Sequence, residues 1–206
     1  MLIRDPRASL QSRKHREWCP GKVDCDNPKI VCQDLVNDYR AAKKLRRQYP
    51  KRFKWVNLPV IKGFTTQRLQ NIGTIFRVIR YEEFSVDPYN QSANVFNFFG
   101  LNFEPEVKKF LDTHTTKNDN APWTTFRDSK AAPFHWTKEL TFQETLSIQE
   151  DCRDALSLWG YREALNHTDL INLQPLMNLN WDHEMPSSEV VVEEITSTEL
   201  NVKSMK

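Results

Sequence analysis

Arg4 and Ser12 are the residues whose types and spacing point most directly to chemistry: an arginine closing a short apolar run, and a hydroxyl eight positions later. Leu2 and Ile3 read as the stub of a strand, Asp5 as a helix N-cap and Pro6 as the first helical residue, where its missing N–H costs nothing. A strand that turns directly into a capped helix presents free amides and a positive helix end, a setting that favours phosphate. Arg4 adds a planar fork suited to a bidentate contact, and Ser12, about two turns along, brings a hydroxyl to the same anion. The same residues also serve as a plain cap with a solvated charge, so the surrounding elements decide between the two.

Those elements are well marked. An amphipathic helix starts near Asn27-Pro28 and carries Cys32, Leu35, Tyr39, Ala42 and Leu45 at helical spacing. Asp87-Pro88 opens another helix, which ends at Gly100 after the cluster Phe96, Phe98 and Phe99, and Glu104-Pro105 opens a third. Thr141-Phe142-Gln143-Glu144 is a capping box, followed by Ile148, Cys152, Ala155 and Trp159 on one face. The order reads strand, helix, helix, strand, helix, helix, loop, helix. Two strands separated by a helical crossover imply an α/β fold, a parallel sheet flanked by helices.

The 206 residues suit one domain, and 39% hydrophobic with 27% charged residues are globular values. A net charge of +2 does not by itself call for nucleic acid or a membrane surface. Basic residues gather over 40–54, either a solvated face or an electrostatic guide for an anionic ligand, while the chain from Asp182 to Glu199 is acidic. No stretch approaches the roughly 20 apolar residues of a membrane span. Residues 172–206 read as a loosely structured tail.

Four cysteines allow three pairings. Cys32 and Cys152 both fall on core-facing helix positions and suit a bridge, leaving Cys19 and Cys25 to close a small loop; the alternative is four reduced thiols. No pair has the C-x-x-C spacing and no histidine stands at ligand distance, so no metal site is expected. Asn90-Gln91-Ser92 and Asn166-His167-Thr168 are glycosylation sequons.

Arg4-Asp5-Pro6-Arg7-Ala8 followed by Ser12-Arg13 resembles the 3′-phosphate-binding motif of sulfotransferases that use 3′-phosphoadenosine-5′-phosphosulfate. Within them it looks most like the Golgi carbohydrate 6-O-sulfotransferases that act on galactose, N-acetylglucosamine and N-acetylgalactosamine. Val78-Ile79-Arg80-Tyr81-Glu82-Glu83-Phe84, Phe98-Phe99-Gly100-Leu101, Arg127-Asp128-Ser129 with Trp136, and the run from Cys152 to Tyr161 resemble further family blocks in the same order. The resemblance implies that Arg4 and Ser12 hold the 3′-phosphate, that Tyr81 lies near the adenine, and that Arg127, Ser129 and Trp136 close over the nucleotide. It implies a P-loop-like sulfotransferase fold, a glycan acceptor and a lumenal Golgi location through an N-terminal anchor not contained in these residues.

Two departures stand out. The family's Arg-Ser-Gly-Ser-Ser loop, which cradles the 5′-phosphosulfate, has no counterpart here, so residues 1–171 are expected to be the C-terminal part of a sulfotransferase domain. Residues 54–75 interrupt the family pattern as an insertion or a misassembled segment. Glu82, Glu83 and His135 titrate, but nothing singles one out as catalytic base. The competing functions are a catalytically inactive nucleotide- or glycan-binding module and a phosphotransferase, the latter disfavoured by the lack of a P-loop lysine.

Overall fold

A computed structural model describes residues 1–49, 78–116 and 125–177. The expected insertion over residues 54–75 and all but the first six residues of the expected tail lie outside them.

Strand β1 (Leu2–Ile3) pairs in parallel with β2 (Ile79–Arg80), Leu2 opposite Ile79 and Ile3 opposite Arg80. Helix α1 (Pro6–Lys14) follows β1 almost directly, capped by Asp5 and carrying Arg13 and Lys14 in its last turn, where the helix dipole favours cations. A short helix α2 (Val23–Asp26) and the long α3 (Pro28–Gln48) lead away from it; the Asn27 side chain accepts from the Lys29 and Ile30 amides and starts α3. β2 ends at Arg80, and α4 (Tyr81–Val86) begins at the next residue. Then come α5 (Pro88–Phe98), α6 (Pro105–His114), a 3-10 turn at Ala132–Phe134, α7 (Trp136–Glu139), α8 (Phe142–Trp159) and α9 (His167–Ile171).

The α/β reading holds, with a parallel sheet of two strands among the described residues. Helices α2, α4, α7 and α9 add to the elements expected from sequence. Each spans six residues or fewer, too short to display a helical period.

The core lies where α3 packs along α8 beneath the sheet. Val31, Val36, Ile148, Ala155, Leu156 and Trp159 are buried there together with Ile3 and Leu10. Cys32–Cys152 bridges the two helices, with Cα atoms 5.1 Å apart. One helical stretch further on, the Trp159 indole N–H donates to the Leu35 carbonyl at 2.9 Å and its ring meets Tyr39 edge-on at 5.2 Å. An edge-on aromatic pair contributes about 1 kcal/mol beyond the area it buries. Cys19–Cys25 closes the loop around Gly21, whose φ of 83° suits a residue without a side chain. Both expected disulfides are therefore formed.

α8 begins with the expected capping box and ends at Gly160 in the left-handed conformation. Beyond α9 the chain returns to this end: Leu173 and Pro175 are buried, Leu176 bridges Tyr161 in antiparallel fashion, and the Met177 amide donates to the Gly160 carbonyl.

Candidate functional site

The tip of β1 carries Arg4, and its surroundings explain its pose. The guanidinium lies over the Tyr81 ring at 4.9 Å, a cation–π contact that joins the ends of the two strands. Arg4 Nε is buried and has no hydrogen-bond partner among the described residues. The side chain opens on a cleft of about 330 Å³, lined from α1 by Ser9 and Arg13 and from the opposite side by Asp24, Asp34 and Asp38. Arg13 is steadied by donating to the Cys25 carbonyl at 3.1 Å, which ties this wall of the cleft to the Cys19–Cys25 loop. Two arginines and three aspartates thus share its lining. An anion fits against the arginine wall, and hydrogen-bond donors such as amines and hydroxyls fit against the aspartates.

Ser12 is half-buried on α1 and lies roughly 60° round the helix from Ser9, on the row beside the residues that line the cleft. The start of α1 differs from the sequence expectation. Asp5, Pro6 and Arg7 are buried, and the Arg7 amide is already bonded to the Asp5 carboxylate at 2.9 Å. The Arg7 and Ser9 amides are therefore committed to the Asp5 side chain and carbonyl.

Beneath Arg4 sits a buried polar network that sequence reasoning missed. Arg7 is fully buried and makes a forked pair with Asp5, Nη2 to Oδ2 at 2.8 Å and Nε to Oδ1 at 3.0 Å. Its Nη1 donates to Gln149 on α8 at 2.8 Å, and its plane lies 4.4 Å from the Trp136 ring. Glu82 accepts from the Asp5 amide at 2.9 Å and from the Tyr161 hydroxyl at 2.8 Å. Burial, reinforced by the Asp5 charge, raises Glu82 to about 7. Burial and the same carboxylates push the Tyr161 phenol well above its ordinary range, so it remains a donor. Arg80 completes the set, donating to the Gly160 and Met177 carbonyls and pairing with Glu83. No local pattern signals these contacts, because Arg7 and Gln149 stand 142 positions apart.

The remaining expected site residues divide. Arg4 and Tyr81 come together. Trp136 is 2% exposed and packs behind Arg7 in the core. Arg127 and Ser129 lie on the segment bonded to the end of α6, through Arg127 N to the His114 carbonyl and Ser129 N to the Thr115 carbonyl, both at 3.0 Å. Ser129 lines a second cleft of about 400 Å³ with Asp87, Tyr89, Thr116 and Lys130. Val86, the last residue of α4, also lines this second cleft, and no residue is shared between the two linings. Asn90 and Asn166 are both exposed. The Asn90 amide donates to Asp87 and Ser92 is buried, whereas Asn166 caps α9 through its oxygen. Among the described residues no group of histidine, cysteine and acidic side chains could hold a metal, and no helix is long and apolar enough to cross a membrane.

Parallel strands ending in an arginine beside a mixed-charge cleft, with two helices crosslinked by a disulfide, define an α/β domain. The comparisons narrow this class. Over 183 residues the chain is 26% identical to carbohydrate sulfotransferase 3 of Tetronarce californica, covering 83% of this chain and 37% of that protein. It is 29% identical over 193 residues to carbohydrate sulfotransferase 5 of Mus musculus, covering 82% and 42%. Against carbohydrate sulfotransferase 1 of Homo sapiens it is 23% identical over 188 residues, covering 83% and 40%. The chain is thus related to the carbohydrate sulfotransferases, and it spans about two fifths of the length of these relatives. No family profile and no solved structure matches it.

Proposed function

We propose that this chain is part of a carbohydrate sulfotransferase that moves a sulfuryl group from 3′-phosphoadenosine-5′-phosphosulfate to a sugar hydroxyl, of the kind that acts on the 6-position. The observation that carries this is Arg4: a guanidinium set over Tyr81 at a strand tip, with its buried Nε unpartnered among the described residues and its side chain part of the lining of a cleft.

In this reading Arg4 holds the 3′-phosphate of the donor, with Ser12 on the adjoining face of α1 and Arg13 on the cleft's α1 side. Tyr81 fixes the plane of Arg4 and so the direction of its two N–H bonds. The aspartate wall accepts from ribose hydroxyls or the purine amine. Transfer requires the donor to be held at both ends and a base to take the hydroxyl proton. The described residues supply the ribose-phosphate end, and no catalytic base is assigned among them. The two disulfides accord with a lumenal, oxidising setting.

Calorimetric titration with 3′,5′-adenosine bisphosphate tests the reading. The wild-type chain is expected to bind it in preference to ATP, and Arg4→Ala to weaken it by about 10- to 100-fold, the range of a lost charge-assisted hydrogen bond. Unchanged affinity in Arg4→Ala would remove the phosphate from this cleft.

A further inference from the structure

We infer that Glu82 is a positioning residue for anion binding at Arg4: its buried carboxyl clasps the tips of both strands, and it takes up a proton when the cleft takes an anion. The inference rests on the sulfotransferase reading for the identity of the anion, and on the buried network for everything else.

Three attachments make the clasp. One Glu82 oxygen accepts from the Asp5 amide at 2.9 Å, which fixes the residue directly after Arg4. The other accepts from the Tyr161 hydroxyl at 2.8 Å, just past the end of α8. The backbone of Glu82 carries Tyr81 as its preceding residue, and the Arg4 guanidinium lies over the Tyr81 ring at 4.9 Å. Arg4 and Tyr81 are thus the immediate chain neighbours of two residues joined by one hydrogen bond. Glu82 and Asp5 are both fully buried, so water does not replace that bond when it is lost.

Neither hydrogen-bond partner of Glu82 is a cation. The nearby guanidiniums are matched to other carboxylates, Arg7 to Asp5 and Arg80 to Glu83, with Arg80 standing 6.0 Å from the Tyr161 ring. The 3-10 turn packed on α4 brings only Ala132, Pro133 and Phe134, and α5 brings Asp87, a further carboxylate. Ionised, Glu82 is a buried negative charge beside Asp5, which is why its folded value stands at about 7. An anion on Arg4 adds negative charge next to it and favours the neutral carboxyl further. Asp24, Asp34 and Asp38 line the same cleft but are exposed, where water and salt screen their charge; Glu82 has no such screen. Linkage then fixes the sign: the cleft holds an anion more tightly below about pH 7, where Glu82 keeps its proton, and less tightly above.

The test titrates the whole chain and Glu82→Gln with 3′,5′-adenosine bisphosphate at pH 6 and pH 8, in two buffers of different ionisation enthalpy. Inorganic sulfate is titrated in parallel, as an anion that needs no nucleotide pocket. Glutamine has the shape of the carboxyl without its charge. At pH 8 the variant is expected to bind either anion about fivefold more tightly than wild type, the lower end of coupling between linked sites. Wild type is expected to take up a fraction of a proton that the variant does not, the ligand's own protons being common to both. A purely structural role for Glu82 predicts the opposite, a loss of affinity. Without ligand, the NMR signals of the Arg4 Nε–H and the Tyr81 ring are expected to shift with pH around a shared midpoint of about 7 in wild type and to stay flat in Glu82→Gln. Equal or weaker binding by the variant at pH 8, or Arg4 and Tyr81 signals indifferent to Glu82, would overturn the inference while bisphosphate binding still upheld the sulfotransferase reading. Sulfate binding with the expected pH dependence, and no bisphosphate binding at either pH, removes the nucleotide and keeps Glu82 in its role.

Discussion

Arg7 shows how a basic residue inside a motif of binding type can serve the fold instead. It lies one helical turn from Arg4 in a basic motif, yet it is fully buried, and each of its three nitrogens has an internal partner. Removing one member of such a pair strands the other charge, at a cost of about 3–5 kcal/mol. Arg7→Met is therefore expected to lose most of the stability of a domain whose total lies at about 5–15 kcal/mol, measured by urea denaturation. Glu82 gives a different signature. Its folded value of about 7 lies above that of the unfolded chain, so the native state binds the extra proton. Stability from this group is complete below the unfolded carboxylate range and declines as pH rises to about 7, by roughly 3 kcal/mol. Glu82→Gln is expected to flatten that decline, with its oxygen still accepting from the Asp5 amide and its NH2 now donating to the Tyr161 oxygen in a reversed bond, checked by denaturation at pH 5 and at pH 7.5. A wild-type protein equally stable at both values would contradict the burial of a protonated carboxyl.

Among the elements, those with a proline or a capping box at their start were legible in the sequence: α1, α3, α5, α6 and α8 each begin where Asp5-Pro6, Asn27-Pro28, Asp87-Pro88, Glu104-Pro105 and Thr141 place them. The short helices were not, because four to six residues carry no period. For the site, Arg4 was legible as a strand-ending arginine, and Tyr81, at the start of α4, was marked only by the resemblance that put it near the adenine. The Arg7–Gln149 and Glu82–Tyr161 contacts were not, because they join elements far apart in sequence and neither end spells out its partner. Trp136 shows the limit most clearly, as an aromatic near a basic motif that turns out to pack inside. At this scale the two disulfides differ in effect. Opening Cys32–Cys152, which closes a loop of 120 residues, is expected to cost about 2–4 kcal/mol of global stability in a Cys32→Ser, Cys152→Ser variant. Opening Cys19–Cys25 releases the carbonyl that steadies Arg13, so its larger expected effect is a several-fold loss of bisphosphate affinity with a smaller change in melting temperature.

For the molecule as a whole, Arg80 acts as the tie between the sheet and the last described residues. Its guanidinium reaches the carbonyls of Gly160 and Met177 from the end of β2, and the backbone bonds Arg162 N to Pro175 O and Met177 N to Gly160 O close the same junction. Arg80→Leu is expected to speed hydrogen exchange at the Arg162 and Met177 amides well before it affects those of α8, a difference that mass spectrometry or NMR would resolve. Uniform acceleration across the chain would mean that the junction is not a separable unit. Cys32 and Cys152 stand on either side of everything between α3 and α8. They make that span a covalent ring, so a single peptide-bond cut anywhere inside it leaves one molecule that separates into two fragments only under a reducing agent.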